Sequence, residues 1–241
     1  AVFIIEDAKE KHRRRLSDGL RVAATVCALV ASMPAPALTC PPAKGQTVQI
    51  DSVDIHLEAR LKDGRKLKFA GIDPPRGTAS NAGLGEEARR FLASLLSGRA
   101  IVAQIGQDAP DRWGRWPVAA DLDGTSIAGT LIAAGWARVD PASAPADCLG
   151  AFLEWEAQAR RSQRGLWADP AYAVIPATQK ETFAGRGGEI VIVEGAVTSV
   201  GQWRTLTFLN LVDGRRADPS VVLSRKVVGA LERSDRHPNS L

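Results

Sequence analysis

The sequence predicts a mainly β fold with helices: a small five-stranded barrel with two to three packed helices, followed by a smaller C-terminal β unit. Three observations predict it. Between Val48 and Ile72, apolar and polar residues alternate with a period near two, broken at Asp63-Gly64, the strongest turn signal of the region. Two stretches with helical periodicity interrupt the strands, at Gly85 to Gly98 and at Cys148 to Arg164. The order is then three strands, a helix, two more strands and a closing helix, as in a five-stranded Greek-key barrel of the OB type.

Each element has its own grounds. VQIDSVDIHLEARL alternates imperfectly, KDGR turns the chain, and KLKFAGI is the returning strand. In GEEARRFLASLLSG, Ala88, Phe91, Leu92, Leu95 and Leu96 share one face. Glu86 and Glu87 favour its first turn, and Gly98 stops it. RAIVAQI and WPVAADL read as strands either side of the polar turn GQDAPDRWGR, and Asp123-Gly124 turns the chain again. SIAGTLIAAGWARV gives a short helix ending at Gly135 and then a brief strand. The closing helix puts Phe152, Trp155 and Ala159 on one side. We expect Trp113, Trp136, Trp155 and Trp167 in the core, whereas Trp116 and Trp203 suit either packing or stacking on bases. Residues 169–187, rich in Pro, Ala, Thr and Gly, read as a linker between a barrel domain at 38–168 and a β unit at 188–241. A unit of 54 residues is short for a closed β core, so we expect it to continue past the sequence given.

The first residues suggest export. A basic run, HRRRLSDGLR, precedes 12 uncharged and mostly apolar residues, Val22 to Met33, and then the small pair Ala35 and Ala37 of an A-x-A site. Residues 1–37 read as a signal peptide, with a periplasmic or secreted mature protein. The apolar run falls short of the roughly 20 residues that span a bilayer, so no stable membrane span is expected in the mature chain. The net charge of +4 drops to +2 without this leader, because it holds six Lys/Arg and four Asp/Glu. Charge alone therefore does not argue for a polyanionic partner. Cys40 and Cys148 remain in the mature chain, as a disulfide or as two buried thiols; an oxidising compartment favours the disulfide. His56 and His237 are too far apart in sequence to suggest a metal pair, and no C-x-x-C, Walker, G-x-S-x-G or G-x-G-x-x-G pattern occurs.

LKFAGIDPP, LGEEARRFLASLLSG, DRWGRWPVA, LIAAGWARV and EWEAQARRSQRGLW occur in this order, and the chain from about residue 46 to 168 resembles the thermonuclease (staphylococcal-nuclease-like) family. The resemblance implies an OB-fold barrel and a Ca²⁺-dependent phosphodiesterase acting on DNA and RNA. Such a site needs aspartates for a hard cation, a glutamate to activate water, and two arginines to neutralise charge growing on phosphate oxygens. By position, Asp73 matches a metal-binding aspartate and Arg115 one phosphate-clamping arginine. The other arginine position holds Lys68, which keeps the charge and loses the bidentate fork. The general-base position holds Arg76, and no acidic residue occurs between Asp73 and Glu86. The remaining metal aspartate falls on Asp54 with a long hairpin and on Leu57 with a short one. Asp73 could equally cap its turn, and Arg115 could be a solvated loop residue.

These substitutions lead us to expect a weak or non-catalytic domain that binds an anion, nucleic acid or a protein. A competing expectation is a Ca²⁺-dependent nuclease with its base relocated to Glu58 or Asp54. A third is a structural module of the cell envelope.

Overall fold

The computed structural model describes residues 2–4, 40–41, 43–106, 109–183, 186, 189–212 and 219–233. The signal-peptide reading falls outside these residues except at Val2–Ile4, and so does the polar C-terminal tail beyond residue 233. Two compact units divide the chain: residues 37–173, and residues 174–241 together with 1–36. Strand β1 (Val2–Ile4) belongs to the second unit.

The first unit runs β2 (Gln46–Val53), β3 (Glu58–Leu61), β4 (Lys66–Phe69), β5 (Ile72–Asp73), α1 (Leu84–Leu96), β6 (Ala100–Ile105), β7 (Arg115–Leu122), β8 (Thr125–Ser126), α2 (Ile127–Ala133), β9 (Arg138–Val139) and α3 (Ala146–Arg161). Strands β4-β3-β2-β6-β7 are antiparallel neighbours, and a parallel pairing of β4 with β7 closes them into a five-stranded barrel. The expected OB-type barrel is thus present, with β8 added on β7. Closure works because one face of each strand is apolar: Leu67 and Phe69 of β4 are buried while Lys66 and Lys68 point the other way. Ala88, Leu92 and Leu96 of α1 join Leu57, Leu61, Phe69, Ile101 and Val118 in this core.

VQIDSVDIHLEARL is two strands, which accounts for its imperfect alternation. Asp54 Oδ1 accepts the backbone N–H groups of His56 and Glu58, each at 3.0 Å, and so nucleates a tight turn. Leu57 leaves that turn with φ 57° and is buried. Another departure concerns Trp113, which is 60% exposed rather than packed in the core. It sits at the tip of the β6–β7 turn, where Asp111 Oδ1 accepts the N–H groups of Trp113 and Arg115 and holds the indole out at the surface. Trp167 is buried, and Trp136 and Trp155 pack against the core.

Cys40 and Cys148 form a disulfide, with their Cα atoms 4.5 Å apart. It ties the segment before β2 to the first turn of α3. Near the far end of α3, the turn after α2 touches the turn after α3. Gly135 (φ 76°) and Gly165 (φ 53°) both need the left-handed region, and a Cβ on Gly135 would lie 2.2 Å from the Arg164 carbonyl oxygen.

In the second unit, β11 (Ile192–Glu194) lies between β1 and β10 (Ile175–Pro176), all parallel. β12 (Ser199–Trp203), β13 (Leu206–Asn210) and β14 (Ser220–Ser224) form an antiparallel meander, followed by α4 (Arg225–Arg233). Ile175, Ala177, Val191, Val193 and Leu211 make its core. Among the described residues no helix is long and apolar enough to cross a membrane.

Candidate functional site

The register of β3, β4 and β7 assembles the first part of the site. Glu58 lies opposite Lys68, and Lys66 lies opposite both Arg60 and Arg115. Arg115 Nη1 donates to Glu58 Oε1 at 2.7 Å, and its Nε donates to Asp111 Oδ2 at 2.9 Å. The guanidinium therefore bridges two carboxylates, a fork geometry in which each hydrogen bond is charge-assisted. The Arg115 contact holds the Asp111 carboxyl down at about 2, and Asp111 followed by Glu58 raises the Arg115 guanidinium in return. Lys66 Nζ lies 3.8 Å from Glu58 and 3.9 Å from Asp54. Asp54, Glu58, Arg60 and Lys66 line a small cleft of about 100 Å³. Outside it, the exposed Trp113 ring has the Arg112 guanidinium 4.0 Å and the Arg115 guanidinium 4.6 Å from its centroid.

The second part is the Asp73 corner. β5 and β9 are two residues long, and their antiparallel register puts Asp73 directly opposite Arg138. Arg138 Nη2 and Nε donate to Asp73 Oδ2 at 2.5 and 3.2 Å. Both side chains are largely withdrawn from water. Behind them, Glu156 accepts the Val139 N–H at 2.7 Å and is 2% exposed. Burial pushes its carboxyl above the usual range, against the pull of Arg160 and Arg138.

Arg76 is exposed on the loop that follows β5. Its backbone is clamped by the Tyr172 hydroxyl, which accepts from the Arg76 N–H at 2.7 Å and donates to the Arg76 carbonyl at 3.0 Å. Burial raises the Tyr172 phenol. Further along the loop, Thr78 and Ser80 donate to the Asp169 carboxylate, which is lowered chiefly by the Thr78 contact. Asp169 and Tyr172 thus belong to the barrel unit and stiffen the loop that carries Arg76.

The structure brings Asp54, Glu58, Lys66 and Arg115 together, and separately joins Asp73 to Arg138. Lys68 is half-exposed on the Glu58 side of β4, and Leu57, the alternative to Asp54, faces the core. Sequence reasoning missed Asp111, Arg138, Tyr172 and Asp169. Asp111 was legible as the acid four residues before Arg115 in DRWGR. Arg138 carried no signal, because its strand partner is two residues long and 65 residues away.

Residues 66–169 match the family model described as "Staphylococcal nuclease homologue". No match occurs among curated proteins. The barrel unit is accordingly a thermonuclease-like domain, nuclease-like or nucleic-acid-binding in type. That family is generally calcium-dependent. Here the donor set does not fit a Ca²⁺ ion: Asp73 is held by a guanidinium, Asp54 is spent on backbone N–H groups, and among the described residues no three His, Cys, Asp or Glu side chains gather as a metal site.

Proposed function

We propose that this domain binds nucleic acid without hydrolysing it efficiently, and that the protein acts outside the cytoplasm. The observation that carries the first part is Arg76. A guanidinium cannot accept a proton from water at any ordinary pH, so general-base catalysis, typically worth about 10²–10⁴ in rate, is lost from that position. The Tyr172 hydroxyl holds the backbone of this position on both its N–H and its carbonyl, so Arg76 is fixed on its loop. Lys68 in place of an arginine, and Arg138 in place of a free carboxylate at Asp73, weaken the reaction further. What remains is a surface with exposed Arg76, Arg60 and Arg112, half-exposed Lys68, and an exposed indole, Trp113. Such a surface suits phosphates and unstacked bases. Export is supported by the apolar leader and by the Cys40–Cys148 disulfide, which persists in oxidising compartments.

The rival reading, a Ca²⁺-dependent endonuclease with its base moved to Glu58 or Asp54, is favoured by one observation: both carboxylates line the same cleft. Their ion pairs with Arg115 and Lys66 oppose it. Cleavage of single-stranded DNA by the purified chain, with Ca²⁺ or with chelator and with Arg76→Glu alongside, separates the readings. We expect no cleavage by the unmodified protein and salt-sensitive binding that survives chelation. Cleavage that chelation abolishes would overturn the proposal in favour of the relocated base. Absence of both cleavage and binding would leave the structural-module reading.

A further inference from the structure

We propose that the open face of the β12–β13–β14 sheet is a second binding surface, one for single-stranded nucleic acid. It rests on the nucleic-acid-binding reading of the chain and adds a site on the second unit. The register assigns the face. Trp203 lies opposite Leu206, which lies opposite Ser224; Gly201 lies opposite Phe208, which lies opposite Val222. Because side chains alternate across a strand, these residues share one side of the sheet. The other side carries the buried Thr207, Leu209 and Leu223. The first side is open instead: Trp203 is 59% exposed and Val222 is 53% exposed. At Gly201 the platform is flat, since even an added Cβ would meet nothing nearer than 3.9 Å.

Charge decides which occupant this face fits. An apolar strip alone would suit a protein segment. At the Trp203 end, however, the row of the sheet is bordered by exposed cations: Arg204 beside Trp203, and Arg225 and Lys226 at the start of α4. Arg204 places its guanidinium 4.7 Å from the Trp203 ring centroid. Arg225 and Lys226 follow directly on Ser224, two strands across from Trp203 in the same row. Adjacent strands are about 4.8 Å apart, so Ser224, from which Arg225 and Lys226 continue, lies roughly 10 Å from Trp203 across the sheet. An aromatic platform that stacks bases, bordered by cations that meet phosphates, is how single strands are bound without sequence preference. The far end of the same face is polar and fixed: Asn210 Nδ2 donates to Ser199 Oγ, and Ser220 Oγ donates to Asn210 Oδ1.

The test uses the full chain and a fluorescently labelled oligo-dT, followed by anisotropy across a salt series with chelator present. Trp203→Ala is expected to weaken binding roughly tenfold, the loss of one stacked base, while Trp203→Phe keeps most of the affinity. Arg204→Ala with Arg225→Ala and Lys226→Ala is expected to flatten the salt dependence by about 2 in slope. Since all four side chains are exposed, these variants are expected to fold, which circular dichroism checks. If the Trp203 and triple variants bind as the unmodified chain does, while Lys68→Ala with Arg112→Ala loses binding, this surface is overturned and the barrel reading stands. If the unmodified chain binds no oligonucleotide, both fall. If Trp203→Ala leaves binding intact but abolishes self-association in sedimentation, the face is a protein interface and the proposal is wrong.

Discussion

Arg138 donates two hydrogen bonds to Asp73 from a position almost sealed from water, with the Tyr172 ring 5.0 Å away. Removing one member of such a pair strands a charge, which typically costs about 3–5 kcal/mol. We expect Arg138→Leu to lose that much in urea denaturation, and Asp73→Asn with Arg138→Leu to recover a clear part of it. Additive losses in the double variant would mean that the pair is not coupled. Glu156 makes a pH-dependent prediction. Its carboxyl is raised by burial, so the stability it allows is fully present at acid pH and is lost as pH rises through the raised value. Glu156→Gln keeps an acceptor for the Val139 N–H and has no charge to bury. The variant is expected to match the unmodified protein in acid and to exceed it increasingly as pH rises above the ordinary carboxylate range, read as melting temperature against pH. Asp111 shifts the opposite way, and carboxyl NMR is expected to find its midpoint near 2, moving back toward the ordinary range in Arg115→Gln. At this scale, legibility depended on sequence distance. Arg76 and Lys68 could be read as displaced chemistry because the GIDPP turn fixes their positions, and Asp111 was in view beside Arg115. The Asp73–Arg138 pair was not, because nothing local announces that two dipeptide strands will meet.

Turns and their packing set the elements. The hairpin at Asp54–Leu57 fixes the register that sends Leu57 into the core and brings Glu58 to Arg115. Sequence alone left this open, since loop length is set by a side-chain cap and not by the hydrophobic pattern. The helices were legible within a few residues because their apolar faces repeat strongly, as in α1. Trp113 was misjudged for a related reason: size argues for burial, but a turn tip has no neighbouring strand to bury it. Two predictions belong here. The Cys40–Cys148 link closes a loop with a sequence separation of 108, for which the entropic description gives about 4–5 kcal/mol. Cys148→Ser is expected to lose most of this in denaturant titration, with no further loss when reductant is added. Gly135→Ala places a Cβ against the Arg164 carbonyl in left-handed backbone, and a loss of about 3 kcal/mol is expected from strain and overpacking together. A loss below 1 kcal/mol would show that the α2 and α3 turns can separate freely.

For the molecule as a whole, the modest net charge of +4 matters less than where the exposed cations lie. The barrel unit presents Arg60, Arg76, Arg112 and Lys68, and the second unit presents Arg204, Arg225 and Lys226. On each unit an exposed tryptophan stands beside an arginine. Phosphate neutralisation and base stacking leave different marks on a binding isotherm. Each phosphate contact on a single strand contributes about −0.7 to the slope of log K against log salt, through release of counterions, whereas stacking adds affinity without slope. Oligo-dT titrations across a salt series are therefore expected to separate the two kinds of residue. Arg76→Ala is expected to flatten the slope by about 0.7 and leave a larger share of the affinity at high salt. Trp113→Ala and Trp203→Ala are expected to lower affinity equally at every salt concentration. Chelator is expected to change none of these curves, because a guanidinium, rather than a calcium ion, is what Asp73 holds. A slope unchanged by Arg76→Ala would mean that the loop clamped by Tyr172 does not meet the phosphates. A curve that collapses on chelation would return the metal to the Asp73 corner.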